Sequence, residues 1–239
     1  MMRSICAAVA VFSLLSCGQS APVDNCGNLT QQLEIQTRDQ LLGKWIAIAE
    51  STDVPESRLM TRMFVDNSWV KVSASDENDT VEFFQVQKSL GQCFTVKYNM
   101  TLKNSTLFIV KPLRGFEVLL KTNCPDCLII HSTYYTEKNP YHSLQFLSRR
   151  KKVSDAELEE YNKQVQCLNL PSPAVLDPQK ELCGEEMLSQ DTQDRDLTSV
   201  MNEMGPELFN VFESLVKKEG GVNSLIKLIH RSLVGEKEN

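Results

Sequence analysis

The sequence predicts an all-β fold: an eight-stranded antiparallel up-and-down β-barrel with a C-terminal α-helix packed outside it, followed by an amphipathic helical extension. Three observations carry this expectation. Between Gly43 and Arg149, eight short β-like runs alternate with turn signals, at roughly 44–52, 60–73, 80–88, 92–103, 105–111, 115–122, 127–135 and 142–149. Every connection after the first is short, which suits antiparallel neighbours, and closing such a sheet on itself removes its exposed edges. Finally, SDAELEEYNKQVQCL follows the last run with a capping box from Ser154 to Glu157, and Leu158, Tyr161, Val165 and Leu168 fall on one helical stripe. A barrel of eight strands can be just wide enough to hold one small ligand.

Residues 1–20, MMRSICAAVAVFSLLSCGQS, read as a secretory signal: one arginine, an apolar run, then small residues near a cleavage point at Ser20 or Ala21. The LLSC ending at Cys17 loosely resembles a bacterial lipobox. The four Asn-x-Ser/Thr sequons at Asn28, Asn78, Asn99 and Asn104 argue instead for a eukaryotic secretory route and for glycosylation. Six cysteines remain after the signal, and an even count in an oxidising compartment implies three disulfides among fifteen pairings. No other run approaches the roughly 18 apolar residues of a membrane span. The expected product is a secreted, extracellular, monomeric protein of plasma or another body fluid.

The strand runs are bounded by DVPES, SDEND, SLG, Asn104, PLRG, NCPDC and EKNPY, each carrying turn-forming residues. The barrel domain is expected over 21–183, its helix ending in the extended LPSPAVLDPQ before Cys183. An acidic linker is expected over 184–204 and an amphipathic helical tail over 205–239. In that tail, 206–234 could dock on the barrel or touch a lipoprotein or membrane surface. DTQDRDLTSVMNE is not a calcium loop: it lacks the loop glycine, puts Arg195 at a ligand position, and has Asn202 in place of the closing glutamate.

The formal net charge is −6. Nucleic acid is a poor partner for such a chain, because binding phosphates needs clustered cations. The one basic cluster, Arg149 to Lys152, reads as a solvated strand-to-helix junction. His131, His142 and His230 have no metal-ligand spacing, and no nucleophile elbow, phosphate loop or HExxH occurs. Catalytic residues, cofactors and metals are therefore not expected. CPDC, Cys124 to Cys127, lies between two β runs and reads as a structural disulfide at a hairpin tip, since a redox pair needs a setting that lowers one thiol's pKa.

Side-chain parity says where ligand contacts fall. In CFTVKYNMTLK, Phe94, Val96, Tyr98, Met100 and Leu102 share one face, and Cys93, Thr95, Lys97, Asn99 and Thr101 the other. A glycan on Asn99 cannot enter a barrel, so the apolar face lines the interior and Cys93 points outward. Weaker alternation places Phe116, Val118 and Leu120 inward on the sixth strand, with Phe64 on the second, Phe83 on the third and Tyr134 on the seventh. Trp45 heads a run in which Ala47, Ala49 and Ser51 are small, which favours empty space behind it. The tryptophan is either a core anchor or a plug at one end of a hollow.

Gly43-Lys44-Trp45, the eight strands, Thr122-Asn123 at the sixth-to-seventh turn and Arg149-Arg150 before the helix together resemble the lipocalin family, over residues 26–183. The resemblance implies that Trp45 closes the barrel floor and that a basic residue, Arg149 or Arg150, packs across it. The family's usual Thr-Asp-Tyr turn is only partly kept, with Asn123 and Cys124 in its last two places. LSRRKKVSDAELEEYNKQVQCLNLPSPAVLDPQK is similar to the orosomucoid (alpha-1-acid glycoprotein) and apolipoprotein M branch, most of all to fish plasma members that bind tributyltin or saxitoxin and tetrodotoxin. That likeness implies Cys26–Cys167 and Cys93–Cys183 disulfides, leaving Cys124–Cys127. It also implies a non-enzymatic carrier of small hydrophobic or amphipathic molecules. Two alternatives are an isomerase with a lumenal thiol, for which Cys93 would have to be free and inward, and an interaction protein acting through 206–234.

Overall fold

The computed structural model describes residues 25–54, 57–111, 113–136, 140–184, 196–199 and 202. The expected signal segment 1–20 and the helices of 206–234 lie outside the described residues. A one-turn helix α1 (Cys26–Leu29) precedes strand β1 (Gly43–Thr52), helix α2 (Ser57–Phe64), strands β2 (Val65–Ala74) and β3 (Thr80–Ser89), and β4 (Gln92–Lys103). Then come β5 (Thr106–Ile109), β6 (Gly115–Leu120), β7 (Cys127–Tyr135), β8 (Pro140–Ser148), helix α3 (Asp155–Cys167) and a two-residue strand β9 (Ala174–Val175).

Strands β2 to β8 pair antiparallel in sequence order, and β1 pairs with both β8 and β2, closing the barrel. Two turns show how the sequence sets this register. Leu90-Gly91 joins β3 to β4 and Asn104-Ser105 joins β4 to β5, each pair with both φ angles positive. Two-residue turns of that hand match the twist of the strands they join.

Three local expectations are corrected. Residues 57–64 are helical, so the second strand begins at Val65 and Phe64 is the last residue of α2 rather than a lumenal strand residue. The reason is composition: Leu59, Met60, Met63 and Phe64 sit at helical spacing among good helix formers, whereas the β-branched residues start at Val65. In β1 the pairing with β8 shifts between Ala47 and Ala49. This bulge resets the alternation, so Ser51 turns outward to donate to the Pro171 carbonyl and Glu50 turns inward. In β6 the parity is the reverse of that expected. Phe116 meets Phe108 and Tyr135 on the outer wall, Val118 and Leu120 pack beneath α3, and Glu117 and Leu119 face the interior. GFEVLL is apolar on its outer face because a helix covers it, so hydrophobicity alone does not mark the lumen there.

Helix α3 is fixed outside the barrel by its own sequence. Ser154 Oγ accepts from the Glu157 amide and Glu157 accepts from the Ser154 amide, completing the capping box. Tyr161 is fully buried, packs its ring tilted against Phe146 at 5.2 Å and donates to the Leu144 carbonyl at 2.7 Å. Gln164 Nε2 bridges the Leu29 and Lys121 carbonyls, and the Cys26–Cys167 disulfide ties the same helix to α1. Cys93–Cys183 pins the chain after α3 to the outside of β4, and Cys124–Cys127 closes the hairpin tip before β7.

Candidate functional site: a two-chambered barrel interior

The closed end is built by Gly43, Trp45 and Arg149. Trp45 is buried among Leu41, Val70, Val72 and Leu147, and its Nε1 donates to the Leu41 carbonyl at 2.7 Å. The Arg149 guanidinium lies 3.3 Å over the indole ring and donates to the carbonyls of Lys44 and Leu42. A cation stacked on an indole face is attracted by the ring quadrupole. Gly43 makes the stack fit: its φ is +101°, and a Cβ there would come 2.7 Å from Arg149 Nη1. Arg150 points away, to Asp126 and Glu157. The Asp126 carboxyl is held below the usual range by its hydrogen bond to Arg150. Asn123 donates from both its amide and its side chain to the Glu160 carboxylate of α3, tying the turn to that helix.

Above Trp45 lies an inner chamber of about 110 Å³, lined by Ala47, Val70, Phe83, Tyr98, Ile130 and Leu147 together with Glu50, Gln85, Gln87, Glu117 and Gln145. Beside it lies an outer chamber of about 470 Å³ bounded by Phe94, Val96, Tyr98, Ile109, Leu113, Tyr134 and Leu197. The two share Gln85, Gln87 and Tyr98. Phe83 and Tyr98 stack at 5.3 Å on the shared wall. Met100 lies deeper, in the core cluster.

The chemistry of the interior centres on Glu117. Its Oε1 accepts from Tyr134 Oη at 2.6 Å and from Ser132 Oγ at 3.1 Å. Burial pushes its pKa up, against the lowering effect of those two hydrogen bonds. Glu50, on the facing wall, accepts only a 3.3 Å contact from Gln145 and is also raised by burial. The Tyr98 hydroxyl is raised too, by burial and then by the neighbouring Glu117. Among the described residues no Lys, Arg or His lines either chamber. Two buried carboxyls thus stand in one chamber without a cationic partner, a costly arrangement that a ligand donor would relieve.

Sequence reasoning missed Glu50, Glu117, Gln85, Gln87 and Gln145. The one available signal was a glutamate in the middle of GFEVLL and another inside IAIAEST. Of the expected interior residues, Phe83, Phe94, Val96, Tyr98 and Tyr134 border the chambers, whereas Phe64, Phe116, Val118 and Leu120 do not. Cys93 is paired outside and supplies no thiol to the lumen. Asn28, Asn78, Asn99 and Asn104 are all exposed.

Cys124, Asp126, Cys127 and Glu157 come within metal-binding distance of one another, but the two cysteines are joined and both carboxylates bond Arg150. Such a set does not offer a cation its ligands. Among the described residues no helix is long and apolar enough to cross a membrane.

The family model of the ApoM domain matches residues 9–186. Among solved structures the chain is similar to the siderocalin Ex-FABP, described as functioning through dual ligand specificities. The two share 16% identity at a TM-score of 0.52, over 61% of this chain and 97% of the other. It is likewise similar to siderocalin Q83, described as having a dual ligand binding mode, at 18% identity and TM-score 0.52, over 62% and 96%. At these identities the likeness shows the fold. No curated protein matches the chain.

Proposed function

The chain belongs to the ApoM-domain family of lipocalins, and from that premise we propose that it is a secreted glycoprotein carrier, without enzymatic activity, for small amphipathic molecules with a basic or strongly donating end. The observation that carries this reading is Glu117, a buried carboxyl held by Tyr134 and Ser132 in a chamber that, among the described residues, has no cation of its own. The apolar part of the ligand would lie against Phe94, Val96 and Ile109, where burial yields roughly 25 cal/mol per Å². Its polar end would meet Glu117 or Glu50, where a charge-assisted hydrogen bond is strong because water is excluded.

The exposed sequons and the three disulfides support an extracellular setting. Displacement of bound Nile red by dodecylamine and by dodecanoic acid tests the proposal. The amine should compete better, and Glu117→Gln should shrink the difference. Equal competition by the two, unaffected by Glu117→Gln, would remove the basic-ligand reading; no saturable Nile red binding would remove the carrier reading altogether.

A further inference from the structure

The barrel wall has an incomplete seam beside the outer chamber. β4 pairs with β3 along its length from Gln92 to Thr101, but β5 is only four residues long and meets β4 only at Thr101–Lys103. Toward the mouth, that edge of β4 has no neighbouring barrel strand among the described residues. An open edge is a template for any extended segment that can match its backbone groups.

The chain fills the seam with residues far along its own sequence. Asp196 forms a parallel bridge with Thr95, the Leu197 amide donates to the Thr95 carbonyl at 2.9 Å, and the Lys97 amide donates to Thr198 Oγ1 at 2.8 Å. Asp196 Oδ1 in turn accepts from the Thr198 amide and hydroxyl, which holds the segment in a tight turn. Bridged residues share a face, so Asp196 faces outward with Thr95, and Leu197 faces inward with Phe94 and Val96. Leu197 accordingly forms part of the outer chamber wall.

We propose that the mouth half of β4 is a docking edge occupied by Asp196–Thr198 of the same chain, bridged at Asp196 and turning into a helix at Thr198, and that Leu197 is an internal occupant which ligand must displace to enter from the side. The proposal rests on the carrier reading. The attachment is slight: a single bridged residue pair, two backbone-anchored hydrogen bonds and one leucine, against ten register pairs between β3 and β4. So small a contact opens more readily than the barrel that it closes. Where only the open form admits ligand, apparent affinity falls by the open fraction.

The test uses the full chain with Leu197→Asp, which replaces the seated apolar group by a charge, and Leu197→Met, which keeps volume and polarity close. Two readouts are taken: residue-resolved amide exchange by NMR, and stopped-flow uptake of Nile red. In Leu197→Asp the Lys97 amide should exchange about tenfold faster or more while the amides of β7 and β8 stay protected. Nile red should enter faster and bind about tenfold tighter. Leu197→Met should keep the Lys97 amide exchanging at the rate of the unsubstituted protein. Unchanged Lys97 exchange in Leu197→Asp overturns the docked strand, whatever the dye does. Faster exchange with unchanged dye uptake overturns the gating role. If neither protein binds Nile red, the carrier reading and the gate both fall, and Lys97 exchange alone decides the docked strand.

Discussion

Trp45 and Glu117 are the two side chains that define the interior, one by closing it and one by giving it chemistry. Trp45→Ala removes an indole packed on Leu41, Val70 and Leu147 and should cost about 3–5 kcal/mol in urea unfolding, before any change in ligand preference. Gly43→Ala should cost more than about 1 kcal/mol, because the positive φ resists a side chain and the new Cβ collides with Arg149. Glu117 acts in the opposite sense. Its folded pKa is raised above the ordinary 4.5, so the folded state holds a proton that the unfolded state releases. The stabilising contribution is therefore full below about pH 4.5 and is lost as pH rises through the folded value. Glu117→Gln should raise stability near neutral pH and flatten its decline between acid and neutral conditions, as read by thermal melts over that range. A Tm no higher than that of the parent at pH 7 would mean that Glu117 is already compensated.

At the scale of elements, the outer helix depends on its cap and the barrel on its turns. Ser154→Ala deletes the acceptor for the Glu157 amide and should cost about 1 kcal/mol. Glu157 is held below its usual range first by the Ser154 amide and then by Arg150, so this contribution is present at neutral pH and lost as pH falls through the lowered value. The cap and Glu117 thus give opposite pH slopes. Comparing Glu157→Gln with Glu117→Gln over one pH series separates them: the first should be less stable than the parent at neutral pH and lose that deficit in acid, while the second should gain at neutrality.

The sequence was most legible where one face of an element was forced by chemistry. The sequon at Asn99 fixed the parity of β4, and the capping box fixed the start of α3. β1 and β6 were not legible for the same physical reason in two forms. A bulge between Ala47 and Ala49 leaves no residue signature, and a strand covered outside by a helix is apolar on its outer face, so apolar parity no longer marks the lumen.

For the whole molecule, the disulfides act over very different spans. Cys26–Cys167 closes a separation of 141 residues and Cys124–Cys127 one of three. Because a cross-link restricts the unfolded chain more when its loop is longer, serine replacement of both partners of the first should cost about 2–5 kcal/mol. The same replacement at Cys124 and Cys127 should cost clearly less. Guanidinium unfolding of the two double variants orders them, and an equal loss would show that local geometry outweighs loop entropy here. Closure itself is uneven: β1 meets β2 only over Gly43–Ile46, with β9 taking the same edge at Ala49 and Glu50, and β5 covers only one end of β4. Both seams are completed by segments from beyond the eight strands.

By itself the sequence determined the strand count, the closed architecture, the outer helix and the parity of β4, because each follows from local periodicity, turn chemistry or the incompatibility of a glycan with an interior. Tertiary structure alone decided that Arg149 and not Arg150 stacks on Trp45, that Glu50 and Glu117 turn inward, and that Leu197 reaches back to β4. Those outcomes depend on a bulge, on which face a helix covers, and on an edge left unpaired by a short neighbour. Each is a property of packed elements that no single segment contains.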